Sequence, residues 1–79
     1  MDALTRAAAA AIRKAPVGIR ELARAAGLSH TLLAYIIADE RRATPAVARA
    51  VAGALEALGQ EAMAAGKALR RAIQTEGER

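Results

Sequence analysis

The chain has 79 residues, of which 24 are alanine and only 16 are Leu, Ile or Val, with one Tyr and no Phe or Trp. Because alanine is the strongest helix former, this composition predicts one small all-α domain with a thin core. With no Cys and one His, the chain cannot form a disulfide or a sulfur metal site, and its single His cannot build a zinc site by itself. The net charge of +4 favours a polyanionic partner.

The first predicted helix covers about residues 3–14. It ends before Pro16, since the residue that precedes a proline disfavours the α-helical region. At helical spacing, its core face is predicted to carry Leu4, Ala8, Ala11 and Ile12.

Two short helices are predicted next, at residues 19–26 and 30–38. The first follows Gly18 and is stopped by Gly27, and Ser29 is a good N-cap for the second. At 100° per residue, the helix at residues 30–38 has one apolar arc of Leu and Ile side chains. Its opposite arc carries an imidazole, a hydroxyl, a phenol and two small side chains, where a solvated helix usually carries Lys and Glu: His30, Thr31, Ala34, Tyr35 and Ala38.

The fourth helix is predicted to open at Thr44, an N-cap, with Pro45 at the first helical position. Apolar residues then repeat at alternating spacings of three and four, as in a coiled coil: Ala48, Val51, Leu55, Leu58, Ala62, Ala65, Leu69 and Ala72. Gly59 and Gly66 leave two alternatives open. Either one long helix or two collinear ones reach about residue 75 and need a partner, or the helix breaks at Gly59 and a short fifth helix folds back.

The segment from Gly18 to Pro45 carries a set of matched positions: Leu22-Ala23, the turn Gly27-Leu28-Ser29, Leu33, Ile36, and a basic loop before Thr44-Pro45. In these positions it resembles the Cro and lambda-repressor-like (XRE-type) family of DNA-binding domains, over about residues 17–59. The resemblance implies an all-α, lambda-repressor-like helix-turn-helix bundle of four to five helices with an extended C-terminal helix. The motif would lie at about 18–38, the DNA-binding domain at 1–59 and a dimerising helical extension at 60–79.

The resemblance also implies roles for particular residues. His30, Thr31 and Tyr35 would face base edges in the major groove, with Ala34 suited to a thymine methyl group. DNA phosphates would be contacted from three places: the start of helix two, the N-cap of helix three and the loop after helix three. The residues are Ile19 and Arg20, then Ser29, then Arg41 and Arg42. The alternatives are that Tyr35 packs over helix two or a dimer mate, and that Arg41 and Arg42 are simply solvated. The family often has an acid at Ile37 and a glycine at Asp39, so the end of helix three is expected to differ and to expose apolar surface.

The leading hypothesis is a repressor-like regulator that binds double-stranded DNA as a homodimer. Its subunits would pair through a C-terminal seam of Leu55, Leu58, Ala62, Ala65 and Leu69. The alternative is an antitoxin-like or adapter protein that binds a partner protein through its C-terminal helix. No cofactor is expected, and an enzyme is not expected either, because the chain has no Cys, one His, one Ser at a helix cap and no Gly-rich phosphate loop. With no basic leader and no long apolar run, the expected location is cytoplasmic, at the nucleoid, and not in a membrane.

Overall fold

The computed structural model describes residues 1–77, with side chains described as far as residue 72. This part of the chain folds into four α-helices: α1 (Ala3–Arg13), α2 (Ile19–Ala26), α3 (His30–Ile37) and α4 (Pro45–Gly77). The all-α class is therefore confirmed for these residues. Residues 78–79, the end of the predicted C-terminal extension, lie outside the described residues.

Three of the four helices begin with a side chain that accepts a hydrogen bond from a backbone amide: Asp2 from Thr5 at 2.7 Å, Ser29 from Leu32 at 3.0 Å and Thr44 from Val47 at 3.2 Å. Such caps satisfy amides that have no partner inside the helix. The caps at Ser29 and Thr44 confirm the prediction, whereas the cap at Asp2 was not predicted. The start of α2 differs, because Gly18 has no side chain to cap it.

The helices α2 and α3 end in the same backbone motif. Gly27 and Asp39 both have positive φ, 71° and 61°. The amide that follows each of them bonds a carbonyl five positions earlier, from Leu28 to Ala23 and from Glu40 to Tyr35, both at 2.8 Å. This is a Schellman motif. The end of α3 thus takes the conformation that suits glycine although Asp39 stands there.

Ile37, the last residue of α3, does not expose its whole side chain to solvent. Its side chain is half-buried and packs against the core. The expected exposure of apolar surface is therefore only partial at Ile37, because its side chain packs against the core. Arg13 of α1 also contacts this helix end, since its Nη2 donates to the Ile37 carbonyl at 3.2 Å.

The core is thin, as the composition predicts, and all four helices contribute to it. Half of its buried apolar residues are alanines: Ala8, Ala9, Ile12, Leu22, Ala23, Leu33, Ile36, Ala43, Val51 and Ala54. Alanine loses no side-chain entropy on burial and lets helix backbones come close together. Leu22, Leu33 and Ile36 are the large fully buried apolar side chains, so they supply most of the apolar area that holds α2 and α3 together.

The buried face of α1 differs from the predicted one. Thr5, Ala8, Ala9 and Ile12 are buried, whereas Leu4 is 38% exposed and Ala11 is half-buried. The alanine run at residues 7–11 has no contrast between faces, so it could not fix the rotation of the helix.

The helix α4 runs for 33 residues through Gly59 and Gly66, so the alternative of a break at Gly59 is wrong. Its first half packs on α1 and α2 through Val51 and Ala54, but every residue at 60–72 is exposed. The molecule measures 56 × 21 × 18 Å and its radius of gyration is 16.1 Å. A compact domain of this length would have about 12 Å. The second half of α4 therefore projects beyond the helical body that residues 1–59 form.

Candidate functional site

One side of α3 faces solvent and carries the residues predicted to read bases. His30, Thr31, Ala34 and Tyr35 are all exposed, and this group is called the α3 face below. Tyr35 keeps 41% of its surface exposed, so its ring is not buried against α2 within the monomer. The structure thus brings the four residues onto one accessible side of a short helix.

The α3 face is held rigidly from behind. Leu33 and Ile36, on the opposite side of the same helix, are both 0% exposed. The Ser29 cap fixes the start of α3, and the Schellman motif at Asp39 fixes its end. Because both ends and the buried side are fixed, the exposed side chains project from a preorganised scaffold.

The start of α2 presents backbone amides that no side chain caps. The first hydrogen bond of this helix runs from the Leu22 amide to the Gly18 carbonyl at 3.0 Å. The amides before it belong to the first turn, where the helix dipole favours an anion. Ile19 is half-buried against the core, so it can contribute only its amide, whereas Arg20 is exposed and can also contribute its guanidinium. The hydroxyl of Ser29 accepts from Leu32 and keeps its own O–H as a donor.

The loop between α3 and α4 carries the two predicted phosphate-binding arginines in different surroundings. Arg42 Nε lies 3.7 Å from Asp2 Oδ2, and its side chain is 89% exposed. Arg41 is also exposed but forms no ion pair with any residue that the structure describes. Arg41 is therefore the more available of the two for a phosphate.

An open polar cleft of about 340 Å³ lies between this loop and the N-terminus, lined by residues 1, 2 and 39–42. The N-terminal ammonium is 3.8 Å from Asp39 Oδ2. The hydrogen bond from the Thr5 amide, with the charge of Arg42 beyond it, holds the pKa of Asp2 below its ordinary value. The acids of the cleft therefore offset part of the positive charge that the loop arginines bring.

Two residues that were not predicted as functional, Asp2 and Thr5, hold the basic loop. The Thr5 hydroxyl accepts from the Ala43 amide at 3.0 Å, and Asp2 lies beside Arg42. The signal that could have revealed Asp2 is its residue type and its place directly before the first helix, since Asp is a preferred N-cap.

The five residues predicted to pair subunits divide into two groups. Leu55 and Leu58 are half-buried and pack against their own core. Ala62, Ala65 and Leu69 are exposed, Leu69 by 62%. Met63, which was not predicted as part of the seam, is 65% exposed on the same half of the helix.

Among the described residues, no three His, Asp or Glu side chains lie close enough together to hold a metal ion. None of the four helices, over those residues, combines the length and the apolarity needed to cross a membrane. Comparison of the chain with protein-family models, with curated proteins and with solved structures finds no match.

Proposed function

We propose that this protein is a sequence-specific regulator of repressor type that binds double-stranded DNA by inserting α3 into the major groove. The observation that carries the proposal is the α3 face. Its four residues are exposed together on a helix whose other side is anchored in the core by Leu33 and Ile36. The major groove of B-DNA admits one α-helix and presents a different pattern of donors and acceptors for each base pair.

The connection between α2 and α3 supports the proposal. Gly27, Leu28 and Ser29 alone separate two eight-residue helices that share the Leu22, Leu33 and Ile36 core. A short turn with a left-handed glycine between two packed helices is typical of a helix-turn-helix, in which the second helix reads bases. A lambda-repressor-like bundle is therefore the fold that we propose for the body, residues 1–59.

The chemistry of the α3 face suits base edges. The His30 ring, the Thr31 hydroxyl and the Tyr35 phenol each offer hydrogen-bonding groups, and Ala34 offers a small apolar surface for a thymine methyl group. None of them is a long flexible side chain, so little rotamer entropy is lost on binding.

Phosphate contacts would position α3 without reading sequence. The uncapped amides at the start of α2 and the exposed guanidinium of Arg41 are the best candidates, with Arg20, Ser29 and Arg42 beside them. Two copies on a two-fold operator would place their recognition helices about 34 Å apart. Such a regulator acts where the DNA is, in the cytoplasm at the nucleoid.

The decisive experiment is the selection of bound duplexes from a random library. We expect one family of sequences to be enriched, and we expect binding to that family to weaken steeply with salt. His30→Ala and Tyr35→Ala should relax the sequence preference, whereas the control Lys67→Ala, on the projecting half of α4, should not. A flat salt response with no enriched sequence would refute the DNA-binding function.

A second candidate function is an antitoxin-like or adapter module that binds another protein. It is favoured by the exposure of residues 60–72, where Met63 and Leu69 are 65% and 62% exposed. Apolar side chains on an unpaired helix are typical of helix-mediated recognition. This function predicts no enrichment in the duplex selection, so the same experiment separates the two.

A further inference from the structure

A shallow apolar groove of about 210 Å³ lies between α1 and α4. Its floor contains buried Ala8 and Val51. The walls are leucines and alanines from both helices: Leu4, Ala7, Ala11, Ala48, Ala52 and Leu55. No charged side chain lines the groove, so water in it makes few favourable contacts with the protein. An apolar side chain from outside would displace that water with a favourable change in free energy.

The groove continues along α4 as a ridge of small and apolar residues to the projecting end of the helix. The ridge has alternating spacings of four and three and consists of Ala48, Ala52, Leu55, Gly59, Ala62, Gly66 and Leu69. A Cβ placed on Gly59 or Gly66 would meet nothing within 4 Å. Because these positions have no side chain, the backbone of another helix can approach α4 closely along the ridge.

The protein exposes more surface than a compact monomer of its mass. Its accessible surface is 5705 Å², whereas a compact monomer of this mass exposes about 4,500 Å². The excess of roughly 1,200 Å² exceeds the area of about 800 Å² that each partner contributes to a standard interface. Every described side chain of α4 beyond residue 59 is exposed, so this half of the helix has surface for such an interface.

We propose that this groove receives the projecting half of α4 from a second copy of the chain, with the two α4 helices antiparallel. A two-fold axis near Ala62 places Leu69 of the second copy opposite Leu55, at the open end of the groove. By symmetry, Leu69 of the first copy lies opposite Leu55 of the second. Such an isologous contact fills both grooves at once. The inference rests on the homodimer of the proposed function but not on DNA binding.

Charge favours the antiparallel over the parallel arrangement. Glu56 and Arg70 are fourteen positions apart and so lie on the same flank of α4. Antiparallel pairing around Ala62 brings Glu56 of one copy near Arg70 of the other. Parallel pairing would instead put Lys67 and Arg70 beside their own copies and leave the grooves at the far ends empty.

The proposed contact does not use the α3 face. All residues that line the groove belong to α1 and α4, and none belongs to α2 or α3. The interface and the candidate DNA-binding site can therefore be altered independently.

Engineered cysteines test the arrangement directly, because the chain has no Cys of its own. The full chain with Leu55→Cys and Leu69→Cys together should form a covalent dimer under mild oxidation, and the chain with Leu69→Cys alone should not. Within one helix these positions are about 21 Å apart, too far for an internal disulfide. Ala57→Cys with Leu69→Cys is the matched control, since Ala57 lies on the other side of α4.

Two results would overturn the inference. Efficient cross-linking of Leu69→Cys alone would show a parallel pairing, and a monomeric mass of the unmodified chain in sedimentation equilibrium would show that no second copy fills the groove. For the equilibrium itself, Ala52→Glu and Leu69→Glu should each weaken the dimer at least about tenfold, while Ala57→Glu and Ala64→Glu should not. Circular dichroism of all four variants shows whether the helices remain folded.

The outcome is separable from that of the proposed function. A cross-linked antiparallel dimer that enriches no duplex would refute DNA binding and leave the groove contact standing. A parallel dimer that enriches a duplex would refute the antiparallel groove contact and leave DNA binding standing.

Discussion

The side-chain hydroxyl of Thr5 in α1 accepts a hydrogen bond from the backbone amide of Ala43 at 3.0 Å. Both residues are buried, with 1% and 6% of their surface exposed. The bond joins the first helix to the loop that carries Arg41 and Arg42. If the Thr5 hydroxyl were removed, the Ala43 amide would have no hydrogen-bond partner, because both residues are buried from water.

We expect Thr5→Val to lower the free energy of unfolding by about 1–3 kcal/mol, the cost of a buried amide without an acceptor. Valine has nearly the same shape as threonine, so the loss would come from the hydroxyl and not from a cavity. Thr5→Ser keeps the hydroxyl and is the matched control, although it removes a methyl group. Urea denaturation followed by circular dichroism measures both, and equal stability of Thr5→Val and the unmodified chain would contradict this role.

The N-cap of α1 should make stability depend on pH. The Thr5 amide, with Arg42 beyond it, holds the pKa of Asp2 below its ordinary value of 3.8. A carboxyl group with a lowered folded pKa contributes stability that is fully present above the unfolded pKa and is lost as the pH falls through the folded one. We therefore expect the contribution of Asp2 to disappear in acid below pH 3.8.

Asp2→Asn isolates this effect, because asparagine also caps helices but does not titrate. The urea midpoints of the two proteins should converge as the pH falls, with the unmodified chain more stable at neutral pH. A constant difference between the two midpoints across the acid range would show that Asp2 does not titrate in linkage with folding.

The left-handed conformation of Asp39 predicts an order of stability among substitutions. At φ 61° a Cβ is unfavourable, and Asp and Asn tolerate it better than other L-residues. We expect Asp39→Ala to be less stable than Asp39→Gly by about 1 kcal/mol. Thermal denaturation of both variants would measure the difference. Equal stability would show that α3 ends without the Schellman motif.

The helices α2 and α3 could be predicted well from the sequence because their signals are local. Gly27 and Ser29 stop one helix and cap the next, and at 100° per residue the Leu and Ile positions of α3 fall on a single arc. The same periodicity predicts that the four residues of the α3 face share one side of the helix. The start of α4 at Pro45, after the Thr44 cap, is predictable for the same local reason.

Other features could not be predicted because alanine gives no contrast. In the alanine run at residues 7–11 every rotation of α1 looks alike, so the burial of Thr5 and the exposure of Leu4 depended on tertiary contacts. The groove between α1 and α4 depends on that same rotation. Continuity of α4 through Gly59 was also open, since the cost of a helical glycine of about 1 kcal/mol is small against the helix that surrounds it.

The two loop arginines are expected to contribute unequally to DNA affinity. Arg42 Nε lies 3.7 Å from Asp2 Oδ2, so a phosphate has to compete with a carboxylate for it. Arg41 has no ion pair among the described residues. Arg41→Ala should therefore weaken binding more than Arg42→Ala, and it should reduce the slope of log affinity against log salt by about 1.

Fluorescence anisotropy with a selected duplex and a scrambled one measures this. Arg41→Ala should lower affinity for both duplexes by the same factor, because a phosphate contact carries no sequence information. Asp2→Asn should raise DNA affinity when both loop arginines are present, because it removes the carboxylate that competes with phosphate for Arg42. In the Arg42→Ala background the same substitution should have little effect on affinity. A larger loss on the selected duplex than on the scrambled one would instead place Arg41 against a base edge, and an unchanged salt slope would remove it from the interface.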